Sequence, residues 1–299
     1  MNATSLRVLT PAKVNLILRV LERRPDGFHA IWSLMHTVGL TDEITLTMQP
    51  AAVSRIALRC DHAALAVDQS NLVYRAAQLV LARAQRSIDL SISLAKRIPM
   101  GAGLGGGSSD AAATILGLVK LLRLDWSVER MAEVGQQLGS DVPFFFVAPA
   151  ACVTGRGELV SPVQVTGQRW IVLVNPGFPV ETKWAYQQLA TTRQGVRPLS
   201  DSLQQLGSRS VLDWAEIIPL VENDFEGPVF AQHPVLGQIK RQLVSLGAEV
   251  ALLSGSGATM FGVFEDEAMA KQAALVCAAD PQRKAFAVPV GGVPEMRVV

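Results

Sequence analysis

The stretch Pro99-Met100-Gly101-Ala102-Gly103-Leu104-Gly105-Gly106-Gly107-Ser108-Ser109-Asp110 constrains this chain more than any other. Glycines at this spacing let the backbone turn through positive φ and approach a ligand without Cβ clashes, so successive N–H groups can converge on an anion. Ahead of the loop, Leu90, Ile92 and Leu94 alternate with Ser91 and Ser93 in the pattern of a strand, and Lys96-Arg97-Ile98 leads in. Behind it, Ala111 to Leu116 reads as the start of a helix, with Ser108, Ser109 and Asp110 expected to supply its capping side chains. The positive end of that helix faces the loop, which makes the whole a phosphate cradle.

Three common phosphate motifs do not fit. Gly101-x-Gly103-x-x-Gly106 matches the dinucleotide fingerprint formally, but the fingerprint needs an acid closing a second strand, and Asp125 follows a helical pattern instead. A Walker loop needs a lysine where this chain has Gly107-Ser108-Ser109. The protein-kinase glycine loop needs His-Arg-Asp and Asp-Phe-Gly segments downstream, and the chain has neither.

Composition narrows the ligand. With 299 residues, 49% of them hydrophobic, the chain can bury a substantial core in about two domains. A mean hydropathy of +0.28 raises the question of a membrane protein. However, Gly117, Lys120 and Arg123 interrupt the apolar stretch near Ile115, and the run at Phe144 is too short to span a bilayer. Met1 to Arg7 lacks the regions of a signal peptide, so the expected location is cytoplasmic, with no membrane partner. A net charge of +1 and no basic block interleaved with aromatics argue against a nucleic-acid surface and for a small polar ligand. Cys60, Cys152 and Cys277, like His29, His36, His62 and His233, lack ligand-like spacing, so no transition-metal site built by the protein is expected.

Several further residues carry two readings each. Lys13 opens a strand, Val14 to Leu21, that is interrupted by Asn15 and Arg19; alone it reads as an edge lysine. Arg23-Arg24-Pro25-Asp26-Gly27 is a turn delivering Phe28 and His29 together, a pair able to stack on and hydrogen-bond a planar base or simply to sit as a core aromatic beside a surface histidine. Ile31–Thr37 and Glu43–Met48 are expected as two further strands of an antiparallel sheet. Asn71 is the expected N-cap of a helix over Leu72–Leu81, and Val128–Leu138 is expected to form another helix, ending at Gly139. Asp141, in Ser140-Asp141-Val142-Pro143, leads into the apolar run Phe144–Val147, at the border of a core or as a turn cap.

Gly155, Gly157, Pro162 and Gly167 punctuate a change of character that places a domain boundary near Val160, giving domains 1–160 and 161–299. Beyond it, strands are expected over 170–174, 250–253, 260–264 and 285–290. Helices are expected from Glu181, near Val211, over 233–246 and over 265–278, with Gly291–Val299 as a tail. Ser254-Gly255-Ser256-Gly257-Ala258-Thr259 reads locally as a tight connection.

Taken together, five segments resemble the GHMP kinase superfamily and, within it, the kinases of 4-diphosphocytidyl-2-C-methyl-D-erythritol. They are Pro11–Leu16, Arg24–His29, Pro99–Ser109, Leu138–Phe144 and Ser254–Thr259, in that order along the chain. The superfamily's loop has the form Pro-x-Gly-x-Gly-Leu-Gly-Ser-Ser, matched here with an extra glycine run. The resemblance implies an α+β, two-domain GHMP kinase fold with the active site in the interdomain cleft. The activity it implies is ATP-dependent phosphorylation of the substrate's 2-hydroxyl, giving the 2-phosphate and ADP on the non-mevalonate route to isoprenoid precursors.

The cosubstrate would be ATP, with Mg neutralising its phosphates, and the acceptor a small molecule bearing a cytidine diphosphate group. Lys13 and Asp141 are the implied catalytic residues, Asp141 taking the hydroxyl proton. Pro99, Gly101, Gly103, Leu104, Gly105, Gly106, Gly107, Ser108 and Ser109 would hold the nucleotide, with Asn71 and Lys96 toward adenine. Asn15, Phe28, His29, Asp141 and Thr182 would face the acceptor. The family often has Tyr at Phe28 and Glu at Ala30; losing the hydroxyl leaves stacking intact. A homoserine or mevalonate kinase would not need the Phe28-His29 pair, and a silent nucleotide-binding regulator would need neither Lys13 nor Asp141.

Overall fold

Two long antiparallel strands, β1 (Thr4–Arg23) and β2 (His29–Pro50), form the backbone of the first sheet. The computed structural model describes residues 4–298; Met1–Ala3 and Val299, which fall in the N-terminal stretch, the expected domains and the tail, lie outside the described residues. The turn between β1 and β2 forms as its sequence requires, with Gly27 at φ +86° and the Phe28 N–H donating to Asp26 Oδ1 at 3.1 Å. The two strands expected over 31–37 and 43–48 are one. Pro11 pairs with Thr41 and Ala12 with Val38, so Gly39 and Leu40 are absorbed as a bulge opposite a proline that has no N–H to offer.

Along the chain follow β3 (Arg55–Cys60), α1 (Leu72–Ala84), β4 (Ile88–Ala95), α2 (Gly106–Leu121), α3 (Val128–Gln136), a short 3-10 helix (Pro143–Phe146), β5 (Ala150–Thr154) and β6 (Leu159–Pro162). Next come β7 (Gln164–Thr166), β8 (Trp170–Asn175), α4 (Thr182–Thr192), α5 (Asp201–Gly207), β9 (Val211–Asp213), α6 (Trp214–Ile217), β10 (Glu222–Asn223), α7 (Glu226–Gln232) and α8 (Pro234–Ser245). The described chain closes with β11 (Val250–Leu253), β12 (Met260–Phe264), α9 (Glu267–Ala278), β13 (Lys284–Pro289) and β14 (Glu295–Val298). The first sheet runs β10-β1-β2-β4-β3, with β14 also on β1, β5 on β2 and β6 on β5; the second runs β11-β12-β8-β13.

Two further expectations fail. The segment at Val211 is a strand followed by a helix, because Asp213 and Glu216 close a capping box that starts the helix only at Trp214. The tail is not structureless: Glu295–Val298 pairs antiparallel with Leu6–Leu9 of β1, which recruits backbone groups that no local pattern reveals.

Three apolar layers hold the elements. Leu6, Val8, Ile44, Leu46, Leu90 and Ile92 of the first sheet pack on Val73, Ala76, Ala77 and Val80 of α1 and Ala111–Ala113, Ile115 and Leu118 of α2. The other face of β1 and β2, through Val14, Leu16, Trp32 and Leu34, meets Leu173, Trp214, Phe261 and Val263 from the second half of the chain. The outer face of the second sheet is covered by α4, α7, α8 and α9. Because the middle layer draws on both halves, the loops at its edge face one another across a cleft. No helix among the described residues is long and apolar enough to cross a membrane.

Candidate active site

The cleft, of about 1080 Å³, is bordered by the phosphate loop, Lys13 and Asn15 of β1, the Phe28–His29 turn, the Gly139–Asp141 turn, α4 and the second glycine loop. That volume lies at the upper end of the range usual for ligand pockets, about 300–1,000 Å³.

Helix α2 begins earlier than expected. Gly105, at φ +69°, is the N-cap, no side chain caps the helix, and the Ser109 N–H makes the first intrahelical bond, to Gly105 O at 2.9 Å. Ser108, Ser109 and Asp110 therefore lie inside the first turns. A Ser or Asp cap would consume one of the leading N–H groups; a glycine N-cap leaves those of Gly106, Gly107 and Ser108 for an anion.

The loop is suspended from three sides. Lys13 N–H donates to Leu104 O at 2.9 Å, Thr259 N–H to Ala102 O at 3.2 Å, and Ser254 Oγ–H to Gly103 O at 2.9 Å. Gly103 sits at φ +77°, and a Cβ there would lie 2.0 Å from the Ser254 carbonyl oxygen. The second glycine cluster is thus more than a connection between β11 and β12: it packs backbone to backbone against the phosphate loop.

Among the residues expected to hold nucleotide, Pro99, Gly101, Gly103, Leu104, Gly105, Gly106, Gly107 and Ser108 line the cleft. Ser109 turns inward, its hydroxyl donating to Pro11 O at 2.6 Å and bonding Thr10 Oγ1. Asn71 caps α1 as expected, with Oδ1 accepting from Val73 N–H at 2.9 Å and Nδ2 donating to Ala66 O at 2.7 Å, so its side-chain groups are engaged within the protein. Lys96 reaches the cleft wall, but its ammonium is buried between Asp42 and Asp110. Burial works to lower the Lys96 pKa, yet the two carboxylates outweigh it and raise it. Burial lifts the Asp110 carboxyl to about 7, with Lys96 drawing it down and Asp42 pushing it up.

Lys13 and Asp141 are brought together. Lys13 Nζ is 3.5 Å from Asp141 Oδ2 and donates to Asn15 Oδ1 at 2.6 Å; Asn15 Nδ2 in turn donates to Ser33 Oγ at 2.8 Å. Lys13 and Asn15 are almost wholly buried, at 3% and 1% exposure, whereas the Asp141 side chain remains 29% exposed to the cleft. The strand alternation that looked like a flaw in β1 puts Lys13 and Asn15 on its cleft-facing side. Arg19, on the same strand and itself buried, instead pairs with partly exposed acids, with Nη1 on Glu222 Oε1 at 3.0 Å and Nε on Asp224 Oδ2 at 3.1 Å.

At the other end, Phe28 is 58% exposed, and His29 stacks on Tyr186 with centroids 5.3 Å apart and planes 17° apart. Burial first, then the Arg193 and Arg23 charges, lower the His29 pKa and favour the neutral imidazole. The Arg156 guanidinium lies over the Phe28 ring, 5.1 Å from its centroid. Thr182 Oγ1 is 2.9 Å from Ser256 Oγ, which ties α4 to the second glycine loop. The sequence reasoning missed Tyr186 and Arg156. Tyr186 lies one helical turn beyond Thr182 on α4, a spacing that could have found it. Burial, and then the charge of Asp141, push its phenol up to about 12.

Residues 71–148 match the GHMP kinases N terminal domain and residues 202–280 the GHMP kinases C terminal domain. The 4-diphosphocytidyl-2-C-methyl-D-erythritol kinase of Geobacter metallireducens is 41% identical over 270 residues, covering 90% of this chain and 93% of the relative. The chain belongs to the 4-diphosphocytidyl-2-C-methyl-D-erythritol kinase family of GHMP kinases. The relative of that name from Syntrophotalea carbinolica is 41% identical over 280 residues, 94% of this chain and 97% of its own. A crystal structure of 4-(cytidine 5'-diphospho)-2C-methyl-D-erythritol kinase, 32% identical, superposes with a TM-score of 0.78 over 96% of this chain and 99% of that one. A mevalonate kinase in complex with R-mevalonate, 14% identical and with a TM-score of 0.66, shares the fold alone. The expected α+β GHMP kinase fold is therefore the fold of this family member, and its enzyme class is that of an ATP-dependent small-molecule kinase.

Proposed function

We propose that this protein transfers the γ-phosphoryl group of ATP to the 2-hydroxyl of 4-diphosphocytidyl-2-C-methyl-D-erythritol. The observation that carries the reading is the Lys13–Asp141 pair standing in one cleft between an uncapped phosphate helix and the Phe28–His29–Tyr186 wall. The acceptor oxygen forms a bond to the γ-phosphorus as the bond to the β,γ-bridging oxygen breaks, and ADP leaves. Asp141 takes the hydroxyl proton, or holds the hydroxyl for attack, while the Lys13 ammonium stabilises charge on the attacking oxygen. Asn15 fixes that ammonium through its 2.6 Å bond. Phe28 offers a face for the cytosine ring and His29 a hydrogen-bonding edge, with Thr182 on the acceptor side.

Magnesium belongs to the same proposal. Magnesium keeps several of its waters and takes its remaining oxygens mainly from substrate phosphates, so it asks for few protein ligands. Ser108, lining the cleft in the first turn of α2, is the residue whose hydroxyl would meet it. Bound there, magnesium would neutralise charge between the phosphates. The proposal also includes a cytoplasmic location, where ATP is regenerated, and a division into domains 1–160 and 161–299, the first carrying the phosphate loop and the second the α4 wall.

The test is ADP release by the full-length protein with and without 4-diphosphocytidyl-2-C-methyl-D-erythritol, with homoserine and mevalonate as competing acceptors. Release dependent on the cytidylated acceptor alone is expected. Equal release with homoserine or mevalonate, or none with any acceptor, would remove the assignment.

A further inference from the structure

A buried ion triad closes the base of the phosphate loop. Lys96 Nζ donates to Asp110 Oδ2 at 2.8 Å and to Asp42 Oδ2, and the three side chains are 4%, 3% and 0% exposed. Asp42 Oδ1 accepts two successive backbone N–H groups, from Arg97 at 2.5 Å and Ile98 at 2.9 Å. Asp42 belongs to β2, Arg97 and Ile98 enter the loop, and Asp110 stands in the first turns of α2, where the loop ends. The chain between these anchors is the glycine stretch itself. A Cβ on Gly106 would lie 3.2 Å from Lys96 Nζ and 2.9 Å from Ile98 Cγ2, so the ammonium sits directly against the first residue of the helix. Asp110 Oδ1 is buried with no hydrogen-bond partner among the described residues.

Charge does not account for this arrangement. Two carboxylates around one ammonium leave no surplus of positive charge beneath the loop to attract an anion. Nor does stability account for it, because desolvation offsets most of the Coulomb gain of a buried pair, and apolar side chains of similar volume serve as well. What apolar packing cannot supply is direction. A carboxylate receiving two N–H groups fixes the entry strand, and an ammonium shared with α2 fixes the helix relative to it.

We infer that Asp42, Lys96 and Asp110 are positioning residues for the nucleotide phosphates, acting through the loop by holding its entry and the α2 N-terminus in register. Lys96 then serves the nucleotide without touching adenine. The inference rests on the reading that the loop holds ATP, and its test measures adenine and cytidine nucleotides separately.

Calorimetric titration of the full-length protein with ADP, GDP and CDP is the test, on wild type and on Lys96→Met, Asp110→Leu and Asp110→Asn. Lys96→Met and Asp110→Leu are expected to weaken ADP by about tenfold, the loss of one well-placed charge-assisted bond. They should weaken GDP by the same factor and leave CDP unchanged. Asp110→Asn, which keeps an acceptor for the ammonium, is expected to restore ADP binding to near wild type. Unchanged ADP affinity in Lys96→Met and Asp110→Leu overturns the inference. So does a loss for ADP but not GDP, which would make Lys96 an adenine contact, or a parallel loss of CDP, which would make the triad a general support of the fold. Wild-type protein that binds CDP but no ADP would overturn the ATP reading of the loop and this role with it.

Discussion

Lys13 Nζ and Asp141 Oδ2 meet at 3.5 Å, the lysine on β1 and the aspartate at the turn before the 3-10 helix, with the lysine buried and the carboxylate open to the cleft. The lysine's other contact, Asn15 Oδ1, anchors it from behind and leaves it turned toward the acid. Replacing Asp141 by Asn keeps the shape and removes the proposed proton acceptor. Asp141→Asn is expected to lower kcat by about a hundredfold to ten-thousandfold while leaving ADP affinity within about twofold. Steady-state kinetics beside ADP titration separates the two, and near-normal turnover would take Asp141 out of the chemistry.

Gly103 is the position where the two glycine loops touch. A methyl group there meets the Ser254 carbonyl oxygen at 2.0 Å and must also occupy φ +77°. Gly103→Ala is expected to cost at least about 1–2 kcal/mol of folding stability from the backbone conformation alone, with the clash in addition. Gly107→Ala makes a control, since its new Cβ meets only Leu72 Cδ1, at 3.4 Å. Thermal melts of the two variants should diverge, with only Gly103→Ala well below wild type.

Tyr186 offers an aromatic face beside His29 and packs edge-on against Phe225, with centroids 4.8 Å apart. Tyr186→Ala is expected to weaken CDP binding by roughly threefold to tenfold, the worth of one aromatic stacking contact, and to leave ADP binding alone. Tyr186→Phe keeps the ring and should bind CDP like wild type. Equal CDP affinity in all three proteins would show that the α4 ring takes no part in recognising the base.

His36 is 4% exposed, stacks near Trp214 and bonds through Nδ1 to the Thr37 carbonyl oxygen at 2.8 Å. Burial lowers its pKa below the ordinary histidine value, with the Thr37 bond working the other way. The folded protein therefore holds the ring neutral where the unfolded chain protonates it. The neutral ring costs nothing above the unfolded value of about 6.5, and stability falls as pH drops from there toward the depressed folded value. Melting temperatures measured from pH 7.5 to 5 should decline more steeply for wild type than for His36→Gln; parallel curves would refute the effect.

Much of the site was legible because its chemistry is local. The strand, glycine loop and helix around Pro99–Asp110 follow from alternation, missing Cβ atoms and helix periodicity, and Asn71 caps α1 as its position implies. Those signals act over a few residues, so a sequence carries them whole. Two departures were local, the glycine cap of α2 and the capping box that delays α6, and two others came from distant backbone. One strand replaced two because Pro11 on β1 let β2 bulge without breaking, and the tail became β14 because β1 had an edge to fill.

The sequence by itself determined the glycine loop, the family resemblance and the residue types assigned to the proposed reacting centre. Tertiary structure alone decided that Lys13 faces Asp141, that Ser254 locks Gly103, and that Tyr186 joins His29. It also decided that Lys96 spends its charge beneath the loop, between Asp42 and Asp110. The reason is physical. Propensity and periodicity express forces between neighbours in the chain, whereas desolvation, ion pairing and van der Waals exclusion act between whatever residues packing brings to within a few ångströms, and only the completed fold selects those partners.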